Sequence, residues 1–270
     1  MPLRMATGPA ALGNVNATPA RSTAGLCDAG ACIGYFPCER VKDSTVRTTR
    51  LATDRIGPPL WCLATILAVL FLAGPAARAA PVRILALGTS LTQGYGLPPG
   101  TEFTSVLQQA LRKKGIDAEV INAGVSGDTS AGGLARLGWS LADHPNAAIV
   151  ELGANDALRG LPPSETARNL KAIVEQLKAD HVRVLLAGMK APRNLGRRYV
   201  KKFDAIYPRL ARQEHVLLYP FFLAGVALNP RLNQADGIHP NVEGEKIIVS
   251  NILPYVEKLV AGAGTVKGHS

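Results

Sequence analysis

Cysteine is missing from every position after Cys62 in this 270-residue chain, and the four present are Cys27, Cys32, Cys38 and Cys62. The long C-terminal stretch therefore holds neither a thiolate zinc site nor a disulfide framework. A cysteine-free domain works in either redox setting, so cysteine usage leaves the compartment open. The upstream C-x4-C-x5-C spacing matches no standard zinc pattern. Aromatic residues make up only 5% of the chain, too few for a platform that stacks single-stranded bases. No apolar run reaches the about 20 residues that a membrane-spanning helix needs. There is no P-loop, no H-E-x-x-H and no G-x-S-x-G elbow, and Gly94-Tyr95-Gly96 lacks the third glycine of a dinucleotide fingerprint. Each absence removes a class of function.

Charge is the next constraint. The chain has 30 basic and 20 acidic residues, of which residues 1–79 hold 8 and 4. The remainder is a mildly basic domain, and its charge alone does not indicate a nucleic-acid binder. The densest basic stretch runs from Lys190 to Lys202 and includes Arg193, Arg197, Arg198 and Lys201. It reads as a solvated loop and helix face, with attraction to an anionic lipid surface or an acidic substrate as the alternative.

What is present begins with Leu60–Ala73, a 14-residue apolar run broken only by Thr65. Arg50 and Arg55 precede it, and Ala77-Arg78-Ala79 comes after it as a small-x-small site. That is the pattern of a secretory signal peptide, with cleavage expected near Ala79 or Ala80. An uncleaved anchor and a buried core helix are the alternatives. Upstream, residues 1–45 are rich in Gly, Ala, Thr and Pro without hydrophobic periodicity. They read as a disordered extension, or as sequence ahead of a true start near Val46 or Leu51. The expected organisation is a poorly structured extension over 1–57, the signal segment and cleavage site over 58–80, one domain over 81–262, and a flexible tail over 263–270.

Within that domain short apolar runs alternate with amphipathic ones. Val82–Leu87, Ala118–Ile121, Ala147–Leu152, Val182–Ala187 and Val216–Tyr219 predict five buried strands. Phe103, Val106, Leu107, Ala110 and Leu111 fall on one helical face. Ser164 is placed to cap a helix whose Leu170, Ile173, Val174 and Leu177 face inward. Single helices are also expected over Arg198–Arg212 and over Val242–Val260, the last bent at Pro254. This alternation predicts an α/β fold, a single-domain three-layer α/β/α sandwich on a mostly parallel five-stranded sheet.

In such a sheet ligands bind beyond the carboxyl ends of the strands. Gly88-Thr89-Ser90-Leu91-Thr92 lies after the first strand and Gly124–Asp128 after the second, while Gly153-Ala154-Asn155-Asp156 lies after the third. Asp236-Gly237-Ile238-His239 comes before the last helix. Any one block is weak, but four in order gather serine, glycine, asparagine, aspartate and histidine on one edge. A serine hydroxyl needs a base within reach, and His239, oriented by Asp236 three residues earlier, is the candidate.

The arrangement resembles the SGNH (GDSL-like) hydrolase family, closest to its thioesterase I, lysophospholipase L1 and arylesterase branch, from about Arg83 to Val260. The resemblance implies a flavodoxin-like sheet, Ser90 as nucleophile, and Asp236 and His239 as its partners. It also implies an oxyanion hole from the backbone N–H groups of Ser90 and Gly127 and the side-chain amide of Asn155. Thr89 departs from the pattern, which has aspartate there. The implied activity is cleavage of acyl esters or thioesters by a monomeric exported enzyme without cofactor or metal. A carbohydrate O-acetylesterase is the alternative, and an envelope binding protein on a retained scaffold is the non-enzyme one. Leu97, Phe221 and Phe222 are expected to line an acyl groove, or equally to pack in the core. His144, His181, His215 and His269 are read as solvated.

Overall fold

The apolar runs become strands because each is long enough to cross a sheet and has no polar side to turn to water. The computed structural model describes residues 80–263. The extension, the apolar segment with its cleavage region through residue 79, the four cysteines and the tail after 263 lie outside the described residues. The strands are β1 (Val82–Gly88), β2 (Ala118–Gly124), β3 (Ala147–Glu151), β4 (Arg183–Ala187) and β5 (Leu217–Tyr219), all parallel in the order β2-β1-β3-β4-β5. Register aligns their carboxyl ends, with Gly88 opposite both Gly124 and Glu151. The chain leaves β1 toward one edge and returns to build β3 on its other side. That reversal makes the β1/β3 junction the switch point, where a crevice opens.

Nine α-helices occur among the described residues, besides a 3-10 turn at Arg193–Leu195: α1 (Ser90–Gln93), α2 (Phe103–Lys113), α3 (Ser130–Ala135), α4 (Leu137–Leu141), α5 (Ala154–Leu158), α6 (Pro163–Ala179), α7 (Arg197–Asp204), α8 (Ile206–Glu214) and α9 (Val242–Ala263). Helices α2 and α9 pack together on one face of the sheet, and α3, α6 and α8 cover the other. The core between the layers is aliphatic: Ile84, Leu85, Leu87, Ile149 and Val150 of the central strands meet Leu107 and Leu111, or Leu170, Ile173 and Leu177. This is the three-layer α/β/α sandwich that the alternation predicts.

Two local expectations need correction. Ser164 caps nothing. Helix α6 starts one residue earlier, at Pro163, behind Pro162 and without a side-chain cap. Proline suits the first helical position because its fixed φ is already helical and the missing N–H would have had no partner. The single helix over Arg198–Arg212 is two, parting at Ala205. Pro208 is the cause: it has no N–H for the carbonyl of Asp204, and its ring crowds that carbonyl. The same proline is harmless within the first turn of α8. By contrast, α9 continues as helix through Pro254 to Ala263, with its flanks held by Ile252, Val256 and Leu259 in the core.

Candidate active site

The site is assembled where β1, β2 and β3 end. At Gly88 a side chain is excluded, because a Cβ would overlap the Thr92 hydroxyl and lie 2.7 Å from Glu151 Oε2. The chain then turns directly into α1. Thr89 is its N-cap, with an extended backbone and Oγ1 accepting from Leu91 N at 3.4 Å. Ser90 is thereby the first helical residue, and its N–H has no acceptor inside the helix. Beneath this turn lies Glu151, the last residue of β3 and fully buried. Its carboxylate accepts from Thr89 N (2.9 Å), Thr89 Oγ1 (3.1 Å) and Thr92 Oγ1 (2.9 Å). Burial pushes its pKa up to about 7 against the opposing pull of these donors. Thr89 thus stands on a carboxylate where the family pattern has a second one.

Ser90 Oγ lies 2.9 Å from His239 Nε2, and His239 Nδ1 lies 2.6 Å from Asp236 Oδ2. The other oxygen of Asp236 accepts from the backbone N–H groups of Ile238 (2.9 Å) and His239 (3.0 Å). The His239 backbone N–H, its ring and the Ile238 N–H together hold the Asp236 carboxyl down at about 2. The segment bearing both residues is closed by an Asn233–Pro240 bridge and capped onto α9, with Asn241 Oδ1 accepting from Glu243 N and Gly244 N. Gln234 fastens it to the nucleophile side, its Nε2 donating to Tyr95 O at 2.7 Å and Pro240 O at 2.9 Å. The Tyr95 ring sits 4.8 Å from that of His239.

Val125–Asp128 forms a turn closed by Asp128 N donating to Val125 O, with Gly127 at φ +82°. Its third residue needs positive φ, so glycine fits there without strain. Arg159 Nη2 donates to the Gly127 carbonyl at 2.7 Å, and Asn155 Nδ2 donates to the Asp128 carbonyl at 2.8 Å. Arg136 bridges Asp128 Oδ2 (2.6 Å) and the Gly88 carbonyl (2.8 Å), locking the second block to the first. Asp156, buried, accepts from Ser130 N at 2.8 Å and Thr166 Oγ1 at 3.1 Å, tying α5 to α3 and α6.

Ser90, Asn155 and His239 open into a cleft of about 610 Å³, walled by Met189, Ala191, Phe221, Leu223 and Ala227. Gly127 is not among the residues that line it. Of the three residues expected in an acyl groove, only Phe221 lines the cleft. Phe222 is fully buried and packs edge-on against Phe103 at 5.1 Å, so it belongs to the core. Leu97 is half-buried and not part of the cleft wall. His144, His181 and His215 are exposed at positive φ, away from the site. Glu151, Arg136, Arg159, Gln234 and Tyr95 escaped the sequence reading. Only Glu151 left a signal there, as a carboxylate within an otherwise apolar strand.

A parallel sheet of this order, with serine, histidine and aspartate linked at its switch point, defines an SGNH-type α/β hydrolase. The chain belongs to the GDSL-like lipase/acylhydrolase family, whose model matches residues 86–247. It is 40% identical to esterase TesA of Pseudomonas aeruginosa over 184 residues, 68% of this chain and 92% of that protein. It is 41% identical to thioesterase 1/protease 1/lysophospholipase L1 of Escherichia coli over 183 residues, 67% of this chain and 86% of that one. Among solved structures it resembles AlinE4, an SGNH-hydrolase family esterase, at 47% identity and a TM-score of 0.58, covering 67% of this chain and 98% of that one. It is accordingly a hydrolase of ester or thioester bonds.

Proposed function

We propose that the protein is an exported serine esterase that cleaves acyl esters or thioesters through an acyl-enzyme on Ser90. The observation that carries this is the unbroken Asp236–His239–Ser90 chain of hydrogen bonds facing an apolar cleft. His239 Nε2 takes the Ser90 proton as Oγ bonds to the substrate carbonyl carbon. Negative charge on the carbonyl oxygen is received by the N–H groups of Ser90 and Gly127 and the Asn155 amide. Collapse of this intermediate breaks the ester or thioester bond, and His239 returns the proton to the leaving oxygen or sulfur. Water then attacks the acyl carbon, His239 again taking and returning a proton, and the acid leaves with Ser90 restored. Asp236 keeps the ring in the tautomer that accepts at Nε2 and supports its positive charge.

The cleft argues for long acyl groups over acetyl, since an acetyl group would leave most of its apolar wall in water. Export rests on the signal-like segment ahead of Ala80, and no helix among the described residues is long and apolar enough to cross a membrane. A p-nitrophenyl ester series from acetate to palmitate tests the substrate assignment. Rates rising with acyl length are expected; rates highest on acetate and falling with length would favour the carbohydrate O-acetylesterase. The N-terminus of the exported protein, sequenced from the host, tests cleavage near Ala79 or Ala80.

A further inference from the structure

Residues 80–263 contain 21 basic and 16 acidic residues, but eight of the basic ones fall between Lys190 and Arg212 beside a single acid, Asp204. Outside this segment acids outnumber bases. The whole positive excess of the domain therefore comes from the β4–α7 loop and the two helices after it. Helix α7 is pinned by Val200 and Phe203 in the core, and by Tyr199 Oη donating to Leu161 O at 2.7 Å. That fixes Arg197, Arg198, Lys201 and Lys202 outward and exposed. Among the described residues none of these four has an acidic partner; Asp204 pairs with Arg193 at 3.1 Å. Four unneutralised cations on two turns of helix repel one another unless something anionic faces them.

The loop that leads into this helix walls the cleft. Lys190 and Arg193, in the loop leading to α7, line the cleft together with Leu158, Leu228 and Ile238. These three aliphatic side chains are 52%, 92% and 49% exposed. Leu228 holds the left-handed conformation, φ +62°, which a leucine rarely adopts. A mouth rimmed by protruding aliphatics and by Lys190 and Arg193, with four unpaired cations on the helix that follows, is the composition of an interfacial binding face, apolar groups entering the acyl layer and cations meeting headgroups. Nucleic acid would use the cations but leave the aliphatics in water, and the acyl-sized cleft between them has no role in holding it.

We infer that this face docks on an anionic phospholipid surface, laying the cleft mouth against the layer that holds acyl chains. The inference rests on the acyl-ester reading for the use of that contact, but the contact does not depend on catalysis. The domain from Ala80 is the protein to use, since a stretch of 67% of this chain matches 98% of the AlinE4 chain. The test is cosedimentation with phosphatidylcholine vesicles, with and without phosphatidylglycerol. Each cation at such a surface strengthens binding about fivefold. The quadruple variant Arg197→Gln, Arg198→Gln, Lys201→Gln, Lys202→Gln is expected to bind the anionic vesicles at least about tenfold more weakly, with turnover of soluble p-nitrophenyl butyrate unchanged, which reports an intact fold. Leu228→Gly is expected to weaken binding while relieving the backbone. Ser90→Ala is expected to bind as the wild type does, which separates this inference from the catalytic one. Equal binding to neutral and anionic vesicles, a quadruple variant that binds like the wild type, or tighter binding to duplex DNA than to vesicles would overturn it.

Discussion

The two oxygens of Asp236 do different work: Oδ1 accepts two backbone N–H groups and shapes the loop, while Oδ2 faces the His239 ring. Asp236→Asn separates these roles. Its amide oxygen can keep the loop, but its NH2 forces the ring to accept at Nδ1, leaving Nε2 protonated and unable to take the Ser90 proton. We expect kcat to fall about a thousandfold or more with little change in thermal midpoint. Asn155→Ala removes a donor without touching the nucleophile, and a fall of about 10²–10³ in kcat at nearly constant KM is expected. At this scale the sequence was informative where chemistry needs fixed residue types, so Ser90, Asp236 and His239 stood out. It could not separate Phe221 from Phe222. Adjacent phenylalanines just after a short strand carry no period to say which faces the cleft, and the contact with Phe103 decides it.

Among the elements, the ends of β1 and β3 are coupled by one carboxylate. Glu151 satisfies the backbone and hydroxyl of Thr89 and the hydroxyl of Thr92, all buried. Glu151→Leu would leave these donors without acceptors, at about 1–3 kcal/mol for each group unsatisfied. We expect a urea midpoint shifted down by a stability loss of at least about 2 kcal/mol, with a drop in kcat because Ser90 rides on the same turn. The strands themselves were legible because doubly covered parallel strands are written as apolar runs. Helices were less so: α3, α4 and α5 span 6, 5 and 5 residues, too short to show a helical period. The break at Ala205 was visible in principle as Pro208, yet a proline in the first turn of a second helix looks the same as one inside a single helix.

For the whole molecule, the buried carboxyls set the pH dependence of stability. Burial, then the charges of Glu151 and Glu102, pushes Glu245 up to about 8, and burial pushes Glu151 to about 7, both from 4.5. Between those limits the folded chain keeps protons that the unfolded chain has released, so their contribution is fully present below 4.5 and is lost as pH rises through 7 and 8. Chemical denaturation is expected to show stability falling from about pH 5 to about pH 9. Glu245→Gln should flatten that slope, and an unchanged slope would count against the burial assigned to Glu245. Asp236 acts in the opposite sense, favouring the folded state above its ordinary 3.8 and losing that effect as pH falls toward 2.

The central claim is that Ser90, activated by His239, attacks the carbonyl carbon. Its most direct test is the hydrolysis of p-nitrophenyl butyrate by the domain starting at Ala80, measured beside Ser90→Ala under identical conditions. The account predicts that the variant folds like the wild type and loses about 10⁴-fold or more in kcat/KM. Equal rates for the two proteins would contradict it and place the nucleophile elsewhere on this fold.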